Sequence, residues 1–576
     1  MANTTKFESI ENFITNYKAA RRADLRVEEL AYILGIKPDT VARRKLSVKY
    51  NSGLNLPPLK RYGGDLKKSD AVTPSEERNE KFCQELEKLV NTKNKFELHE
   101  KKHKRKVYVI TCAQNATPIF PEFLASIKTY MNERDAELMV IRSRYKNPTS
   151  IWSDLDKSED WWHSDIAPYL IDKQIKLNNN IHVMGNIPIQ PTAIRPLSGF
   201  ESYTGLDSGI FGHTTVQLSS IPTPEKELPK LLATTGTITQ PNYTDSKAGH
   251  KGEFHHSYAA AIVEIDGDRF YTRHIHADKN GGFHDLDRYY STSGSRKVES
   301  IPALITGDSH AMFHDEDVEK ATYTDKDSIM NTLNPENWVI HDVEDFYTRS
   351  HHHVGDDIIG YGKHHFKSRD NVEKGLQISA DFIDSHSRPN MDNLIVRSNH
   401  DEAFDRWLKE GNPKTDPENA KFFHYMKYHQ YDNVKETPTG YETIDAFEFW
   451  CKNPDECTGL RNLDKTIFLP RDVRHPKRVI KGIEIGYHGD KGSNGARGSA
   501  TNLSKIGPKI VIGHSHTCAI FQGVYQVGVS ARTDLEYASG PSSWMATHCI
   551  IYPDGSRTLI HIIKGHWKLN EYRKKV

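Results

Sequence analysis

The sequence predicts an α/β protein with a helical N-terminal head. Short apolar runs with strand character alternate with helical patterns from residue 107 onward. Hydrophobic residues make up 36% and aromatic residues 10% of the 576-residue chain, which is too many for a disordered protein. No apolar run reaches the roughly 18 residues that a transmembrane helix needs, so we expect no membrane span.

The chain has no formal net charge, but its basic and acidic residues are unevenly distributed along the sequence. It has 77 Lys and Arg against 77 Asp and Glu. Residues 1–106 hold 24 basic and 15 acidic residues, a net charge of +9, so the remainder carries −9. The basic excess peaks at 101–106, whereas 25 of the 30 histidines lie from His250 onward. This split favours a head that contacts a polyanion and a body that binds cations.

Cysteine usage indicates a reducing compartment. Only six cysteines occur, and none forms a Cys-x-x-Cys pair. This argues against both a disulfide framework and a thiolate zinc site. The N-terminus also lacks the apolar core of a signal peptide. We therefore expect a cytoplasmic protein.

Residues 1–60 predict a helix-turn-helix head, and residues 61–106 a linker followed by a basic helix. Apolar residues recur at helical spacing over 27–34, Gly35 ends that helix, and Pro38 opens another. Three basic residues would lie on or beside a groove-facing helix: Arg43, Arg44 and Lys45. With the basic run, the pattern favours contacts with DNA phosphates rather than with base edges. A plain helical bundle is the alternative.

The region 107–297 predicts an α/β layer, whose role the sequence leaves open. Its strand-like runs include 107–111, 138–141 and 181–184. Farther on, a β-hairpin is expected around Asp266 and Gly267, because Asp-Gly suits a type I′ turn.

The region 298–576 contains five apolar strands, each followed by polar residues. The strands and their polar clusters are 303–306 with 307–310, 338–340 with 341–342, 394–396 with 399–401, 482–485 with 487–488, and 509–512 with 513–516. In open α/β sheets, ligands bind beyond the carboxyl ends of the strands. We therefore expect the five clusters to converge on one site.

These clusters supply metal ligands without sulfur. The candidates are Asp308, His310, Asp342, Asn399, His488, His514 and His516. Such oxygen and nitrogen donors suit Mn, Mg, Fe or Zn. Seven donors are too many for one tetrahedral ion and suit two ions that share a carboxylate. Two pairs are spaced i, i+2 (308 with 310, 514 with 516), so on extended chain each pair would address one centre.

The motifs, in this order, resemble the calcineurin-like metallophosphoesterase superfamily. Its D-x-H, G-D, G-N-H-D/E, lone-His and G-H-x-H motifs read here as 308–310, 341–342, 398–401, 488 and 513–516. The resemblance covers most of 298–576 and implies a four-layer sandwich there. His341 and Ser398 stand where the family usually has glycine. DNA-cutting relatives often carry a second histidine at the position of Asp345.

The resemblance also implies a role for each side chain. The assignments are Asp308, His310 and His516 for one ion, Asn399, His488 and His514 for the other, and Asp342 as the bridge. His400 would contact the phosphate and assist departure of the leaving group, with Asp401 orienting its imidazole. The two divalent ions are expected to be Mn²⁺, with Mg²⁺, Fe²⁺ or Zn²⁺ as alternatives.

The order of the whole chain resembles pre-early DNA-degrading and DNA-transfer nucleases of T5-like bacteriophages. This implies a deoxyribonuclease that hydrolyses phosphodiester bonds with a metal-activated hydroxide in the host bacterial cytoplasm. Lys491 and Arg497, in the glycine-rich loop after His488, are further candidates for DNA contacts. The alternatives are a phosphatase or cyclic-nucleotide phosphodiesterase, and a non-catalytic DNA-binding regulator with a vestigial metal site. Exo- or endonuclease action and homo-oligomer formation are left open.

Overall fold

The structure, a computed structural model, forms two compact units. It describes residues 10–34, 36–43, 45, 57–61, 71–85, 106–145, 147, 161–224, 228–353, 355–366, 369–438, 440–453, 458–471, 475–535 and 540–569. The smaller unit takes 1–105 and 146–161, and the larger takes 106–145 and 162–576. Within the described part of the chain, no helix is long and apolar enough to cross a membrane.

The smaller unit is helical. Its described residues form the helices Ile10–Arg22 and Val27–Ile33 and two further helical segments at 38–43 and 76–85. Glu29 caps the second helix by accepting a hydrogen bond from the backbone N–H of Arg26 at 2.8 Å. Phe13, Leu30 and Phe82 are buried in the core. Helices therefore flank residues 34–37 as predicted, whereas the DNA-binding function of this pair stays a prediction.

Some predicted features of the head lie outside the described residues. They include Gly35, Arg44 and the basic run over 101–105.

A six-stranded sheet organises the C-terminal part of the larger unit. In spatial order its strands are Thr466–Leu469, Asp392–Val396, Asn337–His341, Ala303–Ile305, Thr547–Ile551 and Arg557–His561. The first four strands are parallel, and the last two are antiparallel to their neighbours. The carboxyl ends of the parallel strands therefore meet at one edge, where the first three motifs lie.

A ten-stranded sheet provides the other strands with motifs. In spatial order its strands are Val479–Ile480, Ile483–Glu484, Lys509–Ile512, Val524–Gln526, Ala519–Phe521, Leu218–Ile221, Lys230–Thr234, Ser208–Phe211, Ile181–Met184 and Gln174–Asn178. Residues on both sides of the predicted boundary at 297 thus share one sheet.

The described residues of the larger unit form three smaller sheets as well. The five-stranded sheet has the order Arg269–His276, Ala259–Asp266, Val107–Gln114, Glu137–Ser143 and Leu170–Ile171. The other two consist of Phe283–Asp285, Arg288–Ser291 and Gly294–Lys297, and of Lys435–Thr437 with Gly440–Glu442. The predicted hairpin is present, but its loop is Gly267-Asp268 and only Gly267 has a positive φ, of 62°. A type I′ turn needs two such residues, so the predicted turn type is wrong.

Some helices of the larger unit pack against these sheets. The helices described in that unit are Pro121–Arg134, Lys247–Phe254, Glu316–Glu319, Ile329–Leu333, Asp357–His365, Val372–His386, Asn399–Glu410, Ala420–Asp432, Ala446–Lys452 and Ala500–Leu503. Leu376 and Phe404 pack with Trp338 on one face of the six-stranded sheet. On its other face, Ile305 shares a core with Ile181 of the ten-stranded sheet. The fold is a mixed α/β fold, as predicted, and the four-layer sandwich stays a prediction.

Candidate metal centre

The five predicted clusters come together from two sheets. Asp308, Asp342 and Asn399 follow neighbouring strands of the six-stranded sheet. His488 and the 514–516 segment follow strands of the ten-stranded sheet. The convergence was expected at the edge of an open sheet, but the structure builds it from the ends of two sheets that share a core.

One group of ligand atoms lies around Asp308. The Nε2 atom of His516 lies 3.3 Å from Oδ2 of Asp308 and 2.9 Å from Nε2 of His310. The same His310 atom lies 3.9 Å from Oδ2 of Asp342. All four side chains are buried, and their ligand atoms lie within 4.8 Å of one another. These are the residues predicted for one ion, together with the predicted bridge.

A second set of predicted ligands also reaches Asp342. Nε2 of His488 lies 3.1 Å from Oδ2 of Asp342. Nδ1 of His514 contacts Oδ1 of Asn399 at 3.0 Å, and the His488 and His514 ring centroids are 5.2 Å apart. Oδ2 of Asp342 therefore lies 3.9 Å from a member of one predicted set and 3.1 Å from a member of the other, as a bridging role requires.

Several polar atoms of this cluster are buried without a hydrogen-bond partner among the described residues. They include both carboxylate oxygens of Asp308, Oδ1 of Asp342 and Nε2 of His341. A buried polar atom without a partner costs roughly 1–3 kcal/mol, and a charged one more. Divalent cations would satisfy carboxylate and imidazole donors together, so the residues present fit a pair of such ions.

The backbone at the cluster is strained at four predicted ligands. Their φ angles are 40° at His310, 44° at Asp342, 75° at His514 and 58° at His516. Residues other than glycine rarely adopt this left-handed region, and it concentrates at functional sites. The expectation of extended i, i+2 pairs is wrong for His514 and His516, which contact different groups. On an extended strand, the side chains of residues i and i+2 would point the same way. The left-handed backbone at His514 and His516 turns them in different directions.

His400 lies beside the cluster, and its main partner is Asp345. Its Nε2 atom is 3.9 Å from Oδ2 of Asp342. Its Nδ1 atom is 2.8 Å from the carbonyl oxygen of Asp345 and 3.4 Å from the Oδ1 atom of that residue. The Asp345 Oδ1 atom also lies 3.1 Å from Nδ1 of His310. The buried Asp345 carboxylate therefore contacts the Nδ1 atoms of both His310 and His400.

Asp401 has a different position from the one predicted. Its Oδ2 atom accepts a hydrogen bond from the Ser398 N–H at 2.8 Å, and Oγ of Ser398 accepts from the N–H groups of His400 and Asp401. This capping box begins the helix Asn399–Glu410. It also gives Ser398, which departs from the usual glycine, a structural role. Contact with the His400 imidazole comes from Asp345 instead.

The pKa values of the two central acids, Asp308 and Asp342, are shifted in opposite directions. Burial, reinforced by Asp342, holds the pKa of Asp308 well above its ordinary value. Burial also tends to raise the pKa of Asp342, but the His488 and His400 imidazoles outweigh it and hold that pKa well below the ordinary value. For His400, burial tends to lower the pKa, and the Asp342 and Asp345 carboxylates outweigh it to raise the pKa to about 9. A cation at Asp308 would therefore compete with a proton.

Two residues that sequence reasoning did not assign also shape the centre. Nδ1 of His341 lies 3.4 Å from Nδ1 of His488, so this departure from the usual glycine packs against a predicted ligand. At Gly513 an added Cβ would lie 2.2 Å from Oδ1 of Asp308. Only glycine fits there, which explains why the last motif begins with it.

The predicted DNA-contacting residues lie in different surroundings. Nζ of Lys491 is 2.6 Å from Oε1 of Glu402, and Arg497 is exposed. A single β-bridge pairs Lys491 with Arg497 and closes the loop. In the smaller unit, Arg43 is exposed and Lys45 is half-buried.

The chain was compared with known proteins. No protein-family model and no solved structure matches it. It is 34% identical to Protein A1 of Escherichia phage T5 over 471 residues, which are 80% of this chain and 82% of that protein. This likeness confirms the predicted relationship to T5-like phages. The chain therefore belongs to the same phage protein family as Protein A1 of Escherichia phage T5.

Proposed function

We propose that the chain is a two-metal-dependent deoxyribonuclease that hydrolyses DNA phosphodiester bonds during phage infection, in the host cytoplasm. The observation that carries the proposal is the buried group of Asp308, His310, Asp342 and His516, whose ligand atoms lie within 4.8 Å of one another. The order of its motifs, which resembles that of metallophosphoesterases, supports phosphoester chemistry.

Each part of the centre has a role in this proposal. Asp308, His310 and His516 would hold one ion, and Asn399, His488 and His514 the other, with Asp342 between them. Two divalent ions supply Lewis-acid stabilisation of the phosphoryl group and activation of water.

His400 would contact the phosphate from one side of the pair. Asp345 holds its Nδ1 atom, which leaves Nε2 directed toward Asp342. A protonated imidazole in that orientation donates to a phosphate oxygen or to the departing oxygen. Asp345, rather than Asp401, is thus the residue that we assign to orienting His400.

The basic head would supply DNA capture. The +9 charge of residues 1–106 offsets the −9 charge of the remainder, which by itself repels a polyanion. Arg43 offers an exposed guanidinium on a helix of the smaller unit. Contacts of this kind bind phosphates without reading sequence, as broad degradation of host DNA requires.

The proposal is tested by incubating the purified full-length chain with plasmid DNA and, separately, with p-nitrophenyl phosphate esters, with and without Mn²⁺. We expect Mn²⁺-dependent loss of plasmid, which EDTA abolishes. Cleavage of the small esters without cleavage of DNA would favour a phosphatase or a small-molecule phosphodiesterase. DNA binding without cleavage under any divalent ion would favour the non-catalytic regulator.

Asp342→Ala provides the matched negative control. It removes the carboxylate that lies between the two groups of predicted ligands, so we expect hydrolysis to fall to the background rate. Asp381→Ala is the comparison variant, because that acid is 55% exposed and pairs only with Arg461 among the described ion pairs. Its activity should equal that of the unaltered chain.

A further inference from the structure

Arg471 connects two elements that carry predicted ligands of the second ion. It follows the edge strand Thr466–Leu469 of the six-stranded sheet. Its Nη1 atom donates to both carboxylate oxygens of Asp490, at 2.7 and 2.8 Å. Its Nε atom lies 3.3 Å from Oε1 of Glu402. The Arg471 and Asp490 side chains are only 12% and 9% exposed, so water competes little for that pair, whereas Glu402 is 36% exposed.

Both of these acids lie close in sequence to predicted ligands. Asp490 is two residues after His488, and Glu402 is three residues after Asn399, on the first turn of the helix Asn399–Glu410. Lys491 also pairs with Glu402, since its Nζ atom lies 2.6 Å from Oε1 of that residue. We call Arg471, Asp490, Lys491 and Glu402 the ion-pair ring. The ion pairs therefore join the loop after His488 to the helix that begins at Asn399.

The contacts in the ion-pair ring differ in strength. Asp490 is 9% exposed, and both of its carboxylate oxygens accept from Arg471. Removing the guanidinium would leave a buried carboxylate unpaired, and the loop would have to move to hydrate it. The Lys491–Glu402 pair is 46% and 36% exposed, and such exposed pairs contribute little. Arg471 is therefore the member on which the spacing of loop and helix depends.

We propose that Arg471 is a positioning residue for the second metal half-site, an inference that rests on the proposed two-metal function. It acts through Asp490 and Glu402 on the separation of His488 and Asn399, and it touches no reacting atom. Residues that orient metal ligands in this way typically change metal affinity about 10–100-fold. The half-site of Asp308, His310 and His516 has no member in the ion-pair ring.

The test is a Mn²⁺ titration of the full-length chain by calorimetry and electron paramagnetic resonance, which separates a spin-coupled Mn²⁺ pair from an isolated ion. We expect Arg471→Ala to weaken the second ion at least tenfold, to leave the first unchanged, and to abolish the coupled signal. Arg471→Lys keeps the charge but has one nitrogen where Arg471 uses Nη1 toward Asp490 and Nε toward Glu402, so its loss should be intermediate. Arg461→Ala is the control, since Arg461 is 61% exposed and should leave both ions unaffected.

Each outcome distinguishes the inference from the proposed function. Equal weakening of both ions by Arg471→Ala, or no weakening, overturns the positioning role. Binding of fewer than two ions by the unaltered chain overturns the two-metal function itself.

A double variant tests the route through Asp490. Asp490→Asn should add no further loss of affinity to Arg471→Ala, and additive losses would refute that route. If Arg471→Ala does not fold, Glu402→Gln replaces it, with a smaller loss confined to the second ion as the supporting result. Unchanged affinity in that variant counts against the inference.

Discussion

At the residue scale, Asp345 is the side chain whose position alters the chemistry most. It stands where DNA-cutting relatives of the resembled superfamily often have a second histidine. Its Oδ1 atom lies 3.1 Å from Nδ1 of His310 and 3.4 Å from Nδ1 of His400. An imidazole that donates from Nδ1 to Asp345 turns Nε2 toward the centre, as a ligand atom when the ring is neutral and as a donor when it is protonated. Asp345 thus selects the orientation of one predicted ligand and of the predicted phosphate-contacting residue.

Replacing Asp345 by Asn tests this role. The variant keeps the shape but loses the negative charge that both imidazoles face, so we expect hydrolysis to fall roughly 10–100-fold with weaker Mn²⁺ binding. The measurements are initial rates on plasmid DNA over a range of Mn²⁺ concentrations. The matched variant is Asp401→Asn, which weakens a helix cap and should cost about 1 kcal/mol of stability. A larger loss of activity in Asp401→Asn than in Asp345→Asn would restore the original assignment of Asp401.

At the element scale, predicted metal ligands lie at the ends of strands and at the start of a helix. The strand Asn337–His341 delivers Asp342, and the helix Asn399–Glu410 begins at a predicted ligand behind a capping box. In the smaller unit, the helix over 38–43 carries an exposed Arg43. The sequence pattern predicted the helices at 27–33 and 38–43, because apolar spacing and a proline at a helix start are local properties.

The helix at 38–43 is tested by charge reversal. Arg43→Glu should weaken binding to DNA of any sequence and reduce the slope of log affinity against log salt by about 1. Fluorescence anisotropy at several salt concentrations, with EDTA present, measures binding without cleavage. The control is Lys18→Glu, which makes the same charge change at an exposed position of the first helix. Equal effects of the two variants would show that only net charge matters.

At the scale of the whole molecule, part of the histidine excess lies in the interior, away from the metal centre: His274, His284, His386, His548 and His561 are buried there. Burial lowers the pKa of His274 to about 4, and that of His276 and of His561 to about 3. His274 contacts the Thr234 carbonyl through Nε2 at 2.7 Å, and His561 contacts Oγ1 of Thr547 through Nδ1 at 2.9 Å. These rings are neutral parts of the core near pH 7.

The folded chain should therefore be unstable to mild acid. Below the ordinary histidine pKa of about 6.5, these histidines bind protons in the unfolded chain but stay neutral in the folded chain. Stability is fully present above that pH and falls by up to about 1.4 kcal/mol per pH unit for each such ring, until the folded pKa is reached. Thermal unfolding followed by circular dichroism between pH 7.5 and 5 would measure this.

His274→Gln is the variant that separates this effect from general acid damage. Glutamine can still donate to the Thr234 carbonyl but does not titrate in this range. The melting temperature of this variant should fall less steeply with decreasing pH than that of the unaltered chain. Identical slopes would assign the acid sensitivity to other groups.

The sequence by itself determined the strands that carry the motifs, the order of the polar clusters and the class of donor. These follow from hydrophobic patterning and residue chemistry, which are local: the strands at 181–184 and 509–512 occur where the pattern predicts them. Only the tertiary structure decided that the clusters meet from two sheets, that His514 and His516 diverge, and that Asp345 rather than Asp401 contacts His400. Such facts depend on left-handed backbone and on contacts between residues far apart in the chain, and neither has a local periodic pattern.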